Sequence, residues 1–335
     1  MADTTSTDYD TLVTATHHTV AMYDLRPQLF YDSLVELDNT ESTHNGSSHN
    51  FNRYTDMPAQ TTPLGEVADV TPVTLADLPR TVTVSEYGAA VQTSGFLRAT
   101  AYMEVNPIVS EIIGFNAGLS VDTIARNRLE AAAGTTNGGV LNVVYSDAGT
   151  PIVTGTEAAR NRIGLADLIS AQVINYATAK LRGLSAMGFG GTTYFGVMHP
   201  DVAFDLRAAA PGNQWSDPHI YVDTSGVYNA VVGTFGGVRW MESPRASLFA
   251  NASNGAGAGG NIDVYGSYVF AKQAFGKMFS KGDDYGRDPV FTSRPRIDHL
   301  ERLQSKGWKH MVGYLVTREE CVFRLETVSS IGVNA

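Results

Sequence analysis

Residues 56–80 carry Pro58, Pro63, Pro72 and Pro79. Each proline fixes φ and removes a backbone donor, so regular helix is excluded over this stretch. The run that follows, Arg80-Thr-Val-Thr-Val-Ser-Glu-Tyr87, alternates apolar and polar side chains, which is the period of a strand. Residues 67–75 can pair with it across a loop, giving a long two-stranded arm. A ribbon of two strands is marginal in water, and this one has too few apolar residues to build its own core. It should therefore lie on something else, either the body of the same chain or another copy of it.

The flanks are read the same way. Residues 1–21 are rich in Thr, Ser and Asp and poor in large apolar side chains, so they form an arm ordered only where something holds it. Pro27 can open a short helix over 26–38, with Leu29, Phe30, Leu34 and Leu37 on one face. Residues 39–52 are polar, contain Asn45-Gly46, and read as loop. After the arm comes a long helix over 106–133. Asn106 suits its N-cap and Pro107 its first turn. Ile108, Ile112, Phe115, Leu119, Val121, Ala125 and Leu129 recur at helical spacing, while Asp122, Arg126, Arg128 and Glu130 can stay wet. Gly134 fits the position that ends it. At 1.5 Å per residue such a helix is about 40 Å long. Gly114 and Gly118 each cost it about 1 kcal/mol, so it needs tertiary support.

The remainder alternates short elements. Residues 138–153 predict strands and a turn. A helical zone runs from Thr156 and Glu157 through Leu165, Leu168, Ile169, Val173 and Leu181, with a break at Gly164. A buried strand at 193–198 turns at His199-Pro200 into a helix over 201–210. Residues 237–242 and 264–275 read as strands, 251–260 as a glycine-rich loop, and 281–296, with Pro289 and Pro295, as irregular. Two strands at 311–316 and 321–326 close the chain.

Composition bounds the function. The 335 residues have room for about two domains, and 43% hydrophobic content supports a sizeable core. A net charge of -10, from 24 basic and 34 acidic residues, argues against a dedicated nucleic-acid binder but permits a surface that sits beside DNA without adhering. Cys321 is the one cysteine, so disulfides cannot staple the fold. No run is expected to cross a membrane, and residues 1–6 lack the regions of a signal peptide, so cytoplasmic synthesis is the default.

The order of arm, short helix, extended ribbon, long helix and mixed body resembles the major capsid proteins of tailed bacteriophages, the Hong Kong 97 fold. Pro63-Leu-Gly-Glu66, Val70-Thr-Pro72 and Glu86-Tyr-Gly88 are similar to the extended-loop region of one large coat-protein family. Tyr194-Phe-Gly-Val-Met-His-Pro-Asp201 with Asp205-Leu-Arg207 resembles its central strand–helix segment. Gly233-Thr-Phe-Gly-Gly-Val-Arg239, Glu242-Ser-Pro-Arg245 and Gly307-Trp-Lys-His310 resemble later stretches. The likeness spreads over residues 63–328. It implies an α+β chain with an N-terminal arm (1–55), an extended E-loop (56–100), a peripheral P-domain (101–190 and 290–335) carrying the spine helix, and an axial A-domain (191–289). It further implies hexamers and pentamers of an icosahedral head around double-stranded DNA, assembled in the bacterial cytoplasm with a portal. Some members lock their shells with a lysine in the E-loop, but here Lys180 is the first lysine. Non-covalent contacts, with a decoration protein as an option, are expected instead. A separate scaffolding protein is expected because no long charged coiled coil precedes the E-loop.

No catalytic, cofactor or metal site is predicted. His199 and Asp201 could serve a hydrolase, yet no Gly-x-Ser-x-Gly elbow accompanies them and a strand-to-helix turn explains them. His17, His18, His44 and His49 lack carboxylate or cysteine ligands at metal spacing. Residues 255–260 lack the Gly-Lys-Ser/Thr of a phosphate loop, Asp283-Asp284 reads as a solvated turn, and residues 298–302 read as a polar connection. Arg80, Glu86 and Arg98, on or near the arm, are the candidate subunit-interface residues, since an exposed strand edge is otherwise a liability. Gly114 and Gly118 are candidate bending points of the helix. An encapsulin-like compartment shares the fold and is the nearest alternative; a surface adhesin is disfavoured by the missing signal peptide.

Overall fold

The computed structural model describes residues 29–37, 47–54, 56–61, 63, 70, 72–75, 77–101, 103–131, 142–153, 159–189, 193–209, 231–253, 262–280, 285–294, 300 and 302–332. In chain order the strands and helices are β1 (Glu36–Leu37), β2 (Ser48–Tyr54), β3 (Asp77–Thr83), β4 (Ser85–Ser94), α1 (Gly95–Thr100), α2 (Val105–Ala131), β5 (Asn142–Asp147), β6 (Thr150–Ile152), α3 (Ala171–Gly183), β7 (Tyr194–Met198), α4 (Pro200–Ala209), β8 (Val231–Phe235), β9 (Val238–Glu242), β10 (Ser247–Ser253), β11 (Ile262–Phe270), β12 (Phe275–Phe279), β13 (Val290–Arg294), β14 (Leu303–Val316) and β15 (Val322–Thr327). Short 3-10 turns occupy Asp32–Leu34, Arg160–Arg162 and Glu319–Cys321.

Two sheets form the body. In the larger, the order is β6-β5-β15-β11-β7-β9-β8, with β10 also on β11. Every residue of β11 and of β15 is buried, because both strands are paired on each side and covered on both faces. Gly196 on β7 lies opposite Trp240 on β9. A Cβ at Gly196 would fall 2.4 Å from the indole ring, so only glycine lets that fully buried tryptophan lie flat on the sheet. The second sheet is built on β14, whose 14 residues pair with β4 along one side and with β13 and then β12 along the other.

Helix α2 lies on this second sheet and reaches the core of the first. Its buried ridge, Ile113, Ala117, Val121, Ala125 and Leu129, repeats every four residues. Ile113 and Ala117 pack on Trp308 of β14, while Val121, Ala125 and Leu129 join the main core. The Trp308 indole N–H donates to Asn116 at 2.9 Å, and Lys306 Nζ donates to the Asn106 carbonyl at 3.0 Å.

Several expectations are corrected. The long helix begins at Val105, so Asn106 and Pro107 sit inside its first turn. Its early ridge passes through Ile113 and not through the exposed Ile112. Asp122, expected to be wet, is buried, with the Tyr31 N–H donating to it and Arg245 3.8 Å away. By length and composition α2 is also long and apolar enough to cross a membrane, contrary to expectation; here it is seated on β14 and β4. The short helix over 26–38 is, in its described part, a 3-10 turn followed by β1. In the second helical zone the described residues hold a 3-10 turn at Arg160–Arg162 and α3 from Ala171, where Ser170 caps it by accepting from the Val173 N–H; Thr156 and Glu157 lie outside the described residues. Residues 264–275 divide into β11 and β12, β13 occupies part of the stretch read as irregular, and β10 extends into the expected glycine-rich loop.

The ribbon is real, but its pairing differs. The partner of β3 is β2, in register from Ser48↔Thr83 to Tyr54↔Asp77, and not residues 67–75. Val84 then interrupts the expected strand, and β4 joins β14 in the body sheet. The polar run 48–52 was read as loop; alternation of His49, Phe51 and Arg53 toward the body is what makes it a strand. His17, His18, His44, Asp283, Asp284 and residues 255–260 lie outside the described residues, as do residues 1–28.

Candidate assembly surface

The base of the ribbon is fixed on its inner face. Phe51 and Val82 project from β2 and β3 into a small cluster with Met278 of β12 and Leu315 of β14. Backbone approaches backbone here: a Cβ at Gly313 would lie 2.6 Å from the Thr83 carbonyl oxygen. Two guanidinium–carboxylate contacts flank this plug. Arg53 Nη1 donates to both oxygens of Glu320, at 2.9 and 3.0 Å. Arg80 Nη2 reaches Glu319 at 2.7 Å. Partial burial alone would raise the Glu320 carboxyl, but its own backbone N–H and the Arg53 guanidinium hold it below the usual carboxylate range. Both acids stand on the single 3-10 turn that joins β14 to β15.

Away from the base the same ribbon is bare. Tyr54 is 70% exposed, Leu75 72%, and Met57, Val70, Val73 and Leu78 are also exposed. Exposed hydrophobics scattered singly are ordinary; six of them within residues 54–78 make this stretch a candidate binding surface. A second apolar projection lies at α1. Ser94 caps this helix by accepting from the Leu97 N–H at 3.1 Å. Phe96 is 80% exposed and Leu97 is exposed beside it.

The three predicted interface residues each have a partner within the chain. Arg80 is the clamp just described. Glu86 accepts a short hydrogen bond from the Tyr285 hydroxyl, whose ring lies 4.3 Å from Lys309 Nζ. Arg98 donates to the carbonyl and hydroxyl of Thr93, both at 3.1 Å, and to the Arg302 carbonyl at 3.3 Å, fixing α1 against the start of β14. Within the chain these three residues fix β3, β4 and α1 in turn. Sequence reasoning missed Phe51, Tyr54 and Phe96; an aromatic in a polar stretch was the available signal.

The two helix glycines differ. A Cβ at Gly118 would lie 3.0 Å from Leu29 Cδ1, whereas nothing lies within 4 Å of one at Gly114. Gly114 lines an open groove of about 430 Å³ between α2 and β13, together with Ser110, Ile113, Phe291 and Lys306.

At His199, Nδ1 lies 3.3 Å from both the Asp201 carboxylate and the Asp201 N–H. The Tyr265 hydroxyl donates to Asp201 at 2.9 Å. Burial lowers the His199 pKa and the Asp201 charge partly restores it. This is a tied-down corner between β7 and α4. Among the described residues no cluster of His, Cys, Asp and Glu could hold a metal ion.

A family model described as "Phage capsid protein" matches residues 34–323. No curated protein matches. Among solved structures, the capsid of Ralstonia phage GP4 superposes with a TM-score of 0.75 at 14% identity, covering 96% of each chain. The capsid of cyanophage Pam1 gives 0.67 at 13%, covering 96% of this chain and 97% of that one. The capsid of cyanophage P-SCSP1u gives 0.66 at 16%, covering 96% and 94%. At such identities these structures establish the likeness of fold.

Proposed function

The chain belongs to the phage capsid protein family, a structural shell protein of the virion and not an enzyme, and from that premise we propose how it assembles. Copies join through hexamers and pentamers into an icosahedral head around double-stranded DNA, and non-covalent contacts hold the shell. The observation that carries this reading is the ribbon clamped to the body by Arg53 and Arg80, with Tyr54, Met57, Leu75 and Leu78 exposed on it and on the segment that links its strands. A projection of this kind is a liability on a solitary chain and becomes an asset where a sister copy covers it. Ring-closing contacts between unlike patches repeat the same small burial many times. Self-association is the general property of the family; the encapsulin-like compartment and the hydrolase built on His199 and Asp201 have no supporting observation.

In this proposal residues 1–55 are the arm, 56–100 the E-loop, 101–190 with 290–335 the P-domain, and 191–289 the A-domain. Arg80, Glu86 and Arg98 serve the interface by fixing the elements that present it. Gly114 and Gly118 are where α2 bends as the shell expands; the Leu29 contact makes Gly118 the tighter of the two. The acidic chain contacts packaged DNA without reading its sequence. A separate scaffolding protein and a portal act during assembly in the host cytoplasm, with a decoration protein as an optional outer partner.

Electron microscopy of the purified protein tests the proposal. Uniform shells are expected from the natural chain. Met57→Ser with Leu75→Ser should abolish or sharply reduce them while leaving the circular dichroism of the unassembled chain unchanged. Small compact oligomers under every condition, or shells unaffected by the double substitution, would overturn it.

A further inference from the structure

Residues 29–37 cross from α2 to β12 and are held by an uncommon pair of contacts. Asp122, 1% exposed on α2, accepts the Tyr31 N–H at 2.8 Å. The neighbouring backbone N–H groups of Phe30 and Asp32 help to hold the pKa of this carboxylate down against the effect of burial. The nearest guanidinium, Arg245, stands off at 3.8 Å. On the far side Lys277, 3% exposed on β12, donates to Asp32 at 2.8 Å, and the Tyr314 hydroxyl donates to the same oxygen at 2.5 Å. Among the described residues Asp32 is the carboxylate partner of this lysine. Among the described residues two backbone pairs, Glu36↔Gly276 and Leu37↔Lys277, continue the attachment.

We propose that residues 29–37 are a releasable strap, closed by a carboxylate lock on α2 and an ammonium lock on β12, whose docking ties the long helix to the sheet beneath it. The apolar part of the dock rests on two aromatic side chains: Phe30 and Tyr31 enter the core, Tyr31 edge-on to Tyr268, while Leu34 and Val35 only lean on it. The two locks are charges that water can take over once the strap leaves. The Asp32 side chain is 39% exposed, so water already reaches one lock. A strand such as β15, paired on both sides and wholly buried, has no comparable route out short of unfolding. The inference concerns this chain's own conformations and does not depend on which partners assemble with it.

Hydrogen exchange of the intact chain, read by mass spectrometry, tests the strap. In the natural protein the amides of residues 30–32 should exchange at least about tenfold faster than those of 322–327. Asp32→Asn should accelerate them by about a further tenfold, with 322–327 unchanged, and Asp32→Glu should restore much of the protection. The proposal is overturned if residues 30–32 exchange in step with 322–327 in the natural protein, or if Asp32→Asn leaves them unaffected. Should Asp32→Asn not fold, the comparison within the natural protein decides alone.

Discussion

Strands β3 and β15 have comparable strand-forming sequences and opposite surroundings. Thr81-Val-Thr83 and Val322-Phe-Arg-Leu-Glu-Thr327 would each be read as strand. In β15 every side chain is buried, even Arg324 and Glu326; in β3 one of seven is. Alternation reports the pleat and not the number of neighbours. What separates the two regions is where the polar atoms find partners. Glu326 receives Arg160 in a two-pronged contact, at 2.7 and 2.5 Å, and Arg324 at 2.8 Å. The ribbon's arginines, Arg53 and Arg80, instead find their carboxylates outside it, on Glu320 and Glu319 of the β14–β15 turn.

Breaking the buried side of this contrast should cost most. Glu326→Gln leaves Arg324 buried without a full counter-charge and should remove about 3–5 kcal/mol of stability, read by urea denaturation of the unassembled chain. Acid comes next. His310 on β14 is buried, and burial, with Lys277 adding to it, pushes its pKa down to about 4. The unfolded chain therefore binds this proton first. Stability from this group is full above about pH 6.5, the unfolded value, and is lost as pH falls toward 4. The loss should approach about 3 kcal/mol, and His310→Leu should flatten that part of the pH profile. Smaller again is the ribbon clamp. Arg53→Ala with Arg80→Ala should cost about 1–2 kcal/mol, confined to faster amide exchange in 48–54 and 77–83. A matching loss of protection in 322–327 would show that ribbon and body are one cooperative unit. The smallest effect on the unassembled chain, below about 0.5 kcal/mol, belongs to Met57→Ser with Leu75→Ser, whose consequence appears in assembly.

The sequence made the long helix, the β5–β6 hairpin, the β7–α4 corner and the last two strands legible, because each has a strong local period or a turn signal. It hid β2, where Phe51 is the one large apolar side chain among polar neighbours and earns its burial from Met278 and Leu315, more than two hundred residues on. It hid β13, whose flanking Pro289 and Pro295 look like loop punctuation. The roles of Asp122 and Lys277 were illegible for the same reason: their partners, the N–H of Tyr31 and the carboxylate of Asp32, are distant in the chain. Arg80, Glu86 and Arg98 stand out in the sequence by their position on the arm, whereas their partners within the chain, Glu319, Tyr285 and the Thr93 and Arg302 carbonyls, do not. The exposed apolar residues, Phe96 above all, carry no pattern that separates them from core.

Both ribbon arginines end on the Glu319–Cys321 turn, where β14 stops and β15 starts. The ribbon is thus a lever whose fulcrum is the seam between the two sheets. A sideways load applied far out on it arrives at that seam as torque shared by both, so neither sheet has to carry the strain by itself.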